Sequence, residues 1–158
     1  MSTIAQVVVS AISGAVIGSL CYGLWLTILM SIYIFLYGSY SIDILILSSV
    51  NLNEPVLTAL KVGLIGGSIL GFFVGLSMGI LKTNTIFRGV LIGIAVTAII
   101  LGGLFLLSSI LNRDNPIEFG LSLIVFIPIE LIKNFWLFIP SAATGAILTK
   151  VIERFGNS

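Results

Sequence analysis

The chain has 158 residues, 58% of them hydrophobic and only 8% charged, with a formal net charge of +1. Ordinary soluble domains carry about 25% charged residues, so this composition cannot cover a water-facing surface and points to an integral membrane protein. The small net charge argues against a nucleic-acid partner, which needs a basic patch, and leaves membrane lipids and other transmembrane helices as the expected partners.

Residues 1–42 contain no charged side chain. A membrane helix needs about 20 apolar residues, so this run predicts one long span at about Gln6 to Leu36. No Lys or Arg precedes it, so a cleaved signal peptide is not expected and the first helix is read as a retained anchor. Ser10, Gly14 and Gly18 recur every fourth residue, with Ala11, Ala15, Ser19 and Gly23 beside them. They form a small-residue face of the kind that lets helix backbones approach in a bilayer. Cys21 is the one cysteine and lies in this apolar run; it has no partner for an internal disulfide and reads as a small packing residue. Tyr33, Tyr37 and Tyr40 gather near the far end, as in an aromatic belt. Residues 41–50, SIDILILSSV, are too short to span and read as interfacial, and Asn51 to Pro55, NLNEP, reads as a turn opening the next helix.

The second helix is expected from about Val56 to Leu81. It carries the most regular feature of the chain: Gly63, Gly67, Gly71, Gly75 and Gly79 fall every fourth residue, with no charge between Val62 and Leu81. A four-residue step drifts only about 40° around a helix, so the row is a shallow groove about 24 Å long. Such a groove docks a partner helix or holds the protein's own bundle together, and small-xxx-small faces serve both ends. The link KTNTIFR, Lys82 to Arg88, is short enough to make its flanking helices antiparallel neighbours. The third helix is expected from about Ile86 to Leu111, with Gly89, Gly93 and Thr97 at the same spacing, followed by the turn NRDNP.

Internal similarity accompanies these elements. GAVIG at Gly14 to Gly18 resembles GVLIG at Gly89 to Gly93. LSSVNLNEPV at Leu47 to Val56 resembles LSSILNRDNPI at Leu107 to Ile117, and GILKTNTIFRG at Gly79 to Gly89 weakly resembles GAILTKVIERFG at Gly145 to Gly156. The order is the same in both halves. The expected fold is therefore an all-α integral membrane protein: a single domain, a four-helix transmembrane bundle of two tandem helical hairpins, about 6–82 and about 86–154, related as a parallel repeat.

The last segment has two readings. From Pro116 to Lys150 a continuous helix would be about 50 Å long, more than a straight span of a roughly 30 Å core. It is either one tilted helix kinked at Pro128 and Pro140, or an interfacial stretch, Phe119 to Ile129, followed by a span at about Phe135 to Thr149. The choice decides the meaning of Glu130, Lys133 and Asn134. Inside the membrane an ionisable pair marks an ion path or coupling site; at the interface, beside Trp136, the same residues are solvated. The repeat favours the interface.

Other polar groups carry less. Asp114 and Glu118 flank Pro116 and, with Asp43 and Glu54, make one loop face acidic without a calcium-loop spacing. Ser48, Ser49, Ser108 and Ser109 have no histidine to activate them, since the chain contains none. That absence also removes the commonest metal ligand and most acid–base chemistry near neutral pH, so neither a cofactor, a metal nor an enzymatic activity is expected. Lys82, Arg88, Lys150 and Arg154 fall on one side of a four-span topology, which by the positive-inside rule puts both termini in the cytoplasm. The functional expectation is a small accessory, assembly or stabilising subunit of a membrane complex, docking through glycine-rich helix faces. Its rival is a small oligomeric transporter or channel working through Glu130 and Lys133.

Overall fold

A computed structural model of the chain is all-helical and describes residues 3–38, 53–83, 85–111, 129 and 132–156. Its helices are α1 (Thr3–Gly38), α2 (Asn53–Leu81), α3 (Ile86–Leu111) and α4 (Phe138–Gly156), the last entered through a 3-10 turn at Phe135–Leu137. Four stretches within them, Ile4–Leu36, Pro55–Leu81, Ile86–Leu104 and Phe135–Arg154, are long and apolar enough to cross a membrane. This is the helix inventory of a multi-pass membrane protein.

The helix ends follow from local chemistry. α2 begins at Asn53, three residues before the expected start, because Pro55 falls in the first turn, where a missing N–H breaks no intrahelical bond. It stops at Leu81 because Lys82 turns left-handed, with φ 46°. The Thr83 N–H then donates to the Met78 carbonyl at 3.3 Å, and the Thr83 hydroxyl donates to the same oxygen at 3.1 Å. A left-handed residue followed by this backward bond is the Schellman way of satisfying the last carbonyls of a helix. Pro140 likewise sits in the first turn of α4, so it opens that helix rather than kinking a longer one. The span therefore starts at Phe135, and the helix runs on past Thr149 to Gly156, with Arg154 in its last turn against the negative end of the dipole.

Two antiparallel pairs dominate the packing, α1 with α2 and α3 with α4; α1 also touches α4, and α2 touches α3 and α4. On α1 the sorting is strict. Ser10, Gly14, Gly18 and Tyr22 point inward, while Val8, Ile12, Val16, Leu20 and Leu24, in the same four-residue step two positions out of phase, lie on the outside. Where the pairs meet, Val74, Met78 and Leu148 are buried, with Ile17, Ile92, Val96 and Ile152 packed around them. The antiparallel arrangement brings the start of α1, the end of α2, the start of α3 and the end of α4 to one end of the bundle. Lys82, Arg88, Lys150 and Arg154 are all exposed there.

Candidate functional site

The glycine rows meet each other. Gly18 faces Gly67 and Gly71, Gly14 faces Gly71 and Gly75, and Gly63 faces Tyr22 and Gly23. A Cβ added at Gly18 would lie 2.6 Å from the Cα of Gly71, and one at Gly71 would lie 2.8 Å from the Cα of Gly18. At Gly63 it would lie 2.6 Å from the carbonyl oxygen of Tyr22, and at Gly79, 2.9 Å from the Cα of Val7. These are approaches of backbone to backbone, which no side-chain rotation can relieve. Gly89 and Gly93 do the same on α3: Gly89 faces Gly145 and Thr149, and Gly93 faces Ser141. The nine glycines Gly14, Gly18, Gly63, Gly67, Gly71, Gly75, Gly79, Gly89 and Gly93 all lie at contacts within this one chain. By contrast Gly66 and Gly103 would meet nothing within 4 Å.

Where the small-residue contact ends, the helices part. Beyond Gly23 and Gly63 large side chains take over, and an open apolar groove of about 930 Å³ lies between Leu29, Met30 and Tyr33 of α1, Thr58 and Val62 of α2, and Trp136.

A polar knot sits near the middle of the bundle. The Tyr22 hydroxyl donates to the Leu137 carbonyl at 3.0 Å and also bonds the Ser141 hydroxyl. Thr97 bonds Ser141 and lies 3.5 Å from the Tyr22 oxygen. Tyr22, Thr97 and Ser141 come from α1, α3 and α4, and all three are buried. The other buried hydroxyls of α4 turn back on their own helix: Thr144 donates to the Pro140 carbonyl at 2.7 Å and Thr149 to the Gly145 carbonyl at 2.9 Å. The Tyr22 knot ties separate helices together by hydrogen bonds. In an apolar medium its hydroxyls are held to each other because hydrocarbon offers no alternative partner.

Every Lys and Arg among the described residues is exposed, and Glu153 is part-exposed and pairs with Lys150 at 3.7 Å. Lys133 stands outside the start of the last span, and the backbone carbonyl of Asn134, half-buried, accepts from the Leu137 N–H at 2.9 Å. Glu130 lies outside the described residues, as do Asp43, Ser48, Ser49, Asp114, Glu118 and Phe119 to Pro128. Because Lys133 is exposed and precedes the last candidate span, exchanging it for Met is expected to change detergent stability by no more than about 1 kcal/mol, the scale of exposed charge interactions. Thermal unfolding of the purified variant checks this; a large loss would place the ammonium in the bundle.

Of the residues in the knot, only Thr97 stood out in the sequence, and as a small packing residue in the row after Gly89 and Gly93. Tyr22 carries a usable signal of its own: a tyrosine in the middle of a span, about three turns from the belt at Tyr33. No family model, curated protein or solved structure matches this chain.

Proposed function

We propose that this protein is a small accessory, assembly or stabilising subunit of a membrane complex. The observation that carries the reading is the meeting of the glycine rows, which packs α1 against α2 backbone to backbone. A solid bundle contributes shape and packing surface to an assembly. The outward faces of its helices are apolar, as a partner's transmembrane helices or lipid would require. Since Gly14, Gly18 and the row from Gly63 to Gly79 face one another, partners are proposed to engage the remaining faces.

The bundle is proposed to be inserted as four spans with both termini in the cytoplasm. The basic end formed by Lys82, Arg88, Lys150 and Arg154 supports this through the positive-inside rule. Reporter fusions after Asn53 and after Ser158 are expected to report opposite sides of the membrane; the same side would refute the four-span topology.

A tandem hairpin origin is also proposed. Gly18 faces the carbonyl of Gly67 as Gly93 faces that of Ser141, and Gly14 faces that of Gly71 as Gly89 faces that of Gly145. The correspondence agrees with the GAVIG and GVLIG match on the first helix of each pair. On the second helix it sets Gly71 against Gly145, two turns away from the weaker match of Gly79 with Gly145.

Purification in mild detergent tests the functional proposal. The protein should co-purify in fixed stoichiometry with one or more larger, different membrane proteins. Isolation only as a homo-oligomer that conducts ions in liposomes would overturn it in favour of a transporter.

A further inference from the structure

The two kinds of interface in this bundle differ in what could move. Within each hairpin the helices touch backbone to backbone at Gly18, Gly63, Gly71, Gly93 and Gly145. Sliding either pair by a fraction of a turn would drive neighbouring side chains into a main chain, and packed backbones resist such shifts. Between the hairpins the contact rests on the apolar group around Met78 and Leu148 and on the hydroxyl knot, which takes in the Leu137 carbonyl. Lipid tails are as apolar as leucine, so parting apolar side chains in a bilayer loses packing but no hydrophobic driving force. Hydroxyl bonds exchange partners readily, since Ser, Thr and Tyr hydroxyls both donate and accept.

A second observation falls on the same face. Trp25 follows Tyr22 by three residues on α1, within about 60° around the helix. Its indole N–H is buried and finds no hydrogen-bond partner among the described residues. A buried donor left over three residues along α1 from Tyr22 marks a place where another arrangement would satisfy it better.

We propose that the two hairpins are separate rigid bodies, and that the joint between them, latched by Tyr22, Thr97, Ser141 and the Leu137 carbonyl, is where this protein changes shape. The motion is a rocking of α1 and α2 as one unit against α3 and α4 as the other, in the manner of paired repeats that move about a shared seam. This inference is independent of which complex the protein serves.

Spin-label distances on the full chain in lipid nanodiscs test it. Labels go on exposed positions in a Cys21→Ser background: Ile32 with Leu57 inside the first hairpin, Ile99 with Ile139 inside the second, and Ile32 with Ile139 across the joint. The across-joint distribution should be wider than both intra-hairpin ones. In Tyr22→Phe it should shift or broaden by about 2 Å or more, the scale of helix shifts at packed interfaces, while the intra-hairpin distances stay put. Thr97→Val, which deletes one hydroxyl at nearly constant volume, gives the same reading should the tyrosine variant not accumulate. Three equally narrow wild-type distributions, unmoved in the variants, would overturn the proposal. So would a variant that changes all three distances together, since that is unfolding rather than a joint.

Discussion

Replacing Gly71 by leucine is expected to take the first hairpin apart, while the same change at Gly66 is expected to be tolerated. The two positions are five residues apart on one helix and share the same intrinsic propensity, so the difference isolates packing. At Gly71 the first added carbon already falls 2.8 Å from the Cα of Gly18 and still closer to the carbonyl of Gly14. At Gly66 it meets nothing within 4 Å. Overpacking a core costs about 1–3 kcal/mol when side chains can adjust, and more here because the obstacle is main chain. Alanine makes the sharper comparison. In a helix interior Gly→Ala normally stabilises by about 1 kcal/mol. Gly66→Ala should follow that rule, and Gly71→Ala should reverse its sign. Thermal unfolding in detergent reads both; a stabilising Gly71→Ala would mean that Gly71 faces lipid.

Gly145→Leu is the second large effect. A Cβ there would lie 2.6 Å from the carbonyl carbon of Gly89, and Gly89 in turn is hemmed in by Gly145 and Thr149. Among the described residues the second hairpin has fewer such contacts than the first, resting on Gly89, Gly93, Ser141 and Gly145. One bulky side chain therefore removes a larger share of the seam. The expected result is loss of the folded species, measured as loss of the monodisperse peak in size exclusion and of protease resistance in residues 86–156. Gly103→Leu on α3, where an added carbon meets nothing within 4 Å, should behave like the parent. If Gly145→Leu does too, α3 and α4 are not held together at Gly89.

What the sequence made legible follows from what kind of signal each feature leaves. Span lengths are written in uninterrupted apolar composition, so α1, α2 and α3 could be bounded to within a few residues. The glycine rows are written in a four-residue period, and size alone says that such a row lies against something. What it lies against was partly legible, because Ser10, Gly14 and Gly18 offered a matching face. Tyr22 was not. A helix apolar on all sides gives no amphipathic phase to say which way a residue points. The partners of Tyr22 are moreover 75 and 119 residues away, on different helices. The register of α3 against α4 was not legible for a related reason: apolar sequences align at several offsets, and only the backbone contacts at Ser141 and Gly145 choose between them.

The glycine row of α2 faces α1 of the same chain. A disulfide tests this most directly at the edge of the seam, where a Cβ at Gly79 would lie 3.2 Å from the Cβ of Ser10. That is close to the roughly 3.5–4.5 Å that a disulfide spans, and within a small adjustment of it. Ser10→Cys with Gly79→Cys, in a Cys21→Ser background, should oxidise in membranes to a bridge within one chain, seen as a faster-running monomer on a non-reducing gel. A bridge between two chains, seen as a dimer, or no bridge at all, would show that the row is turned toward something other than α1.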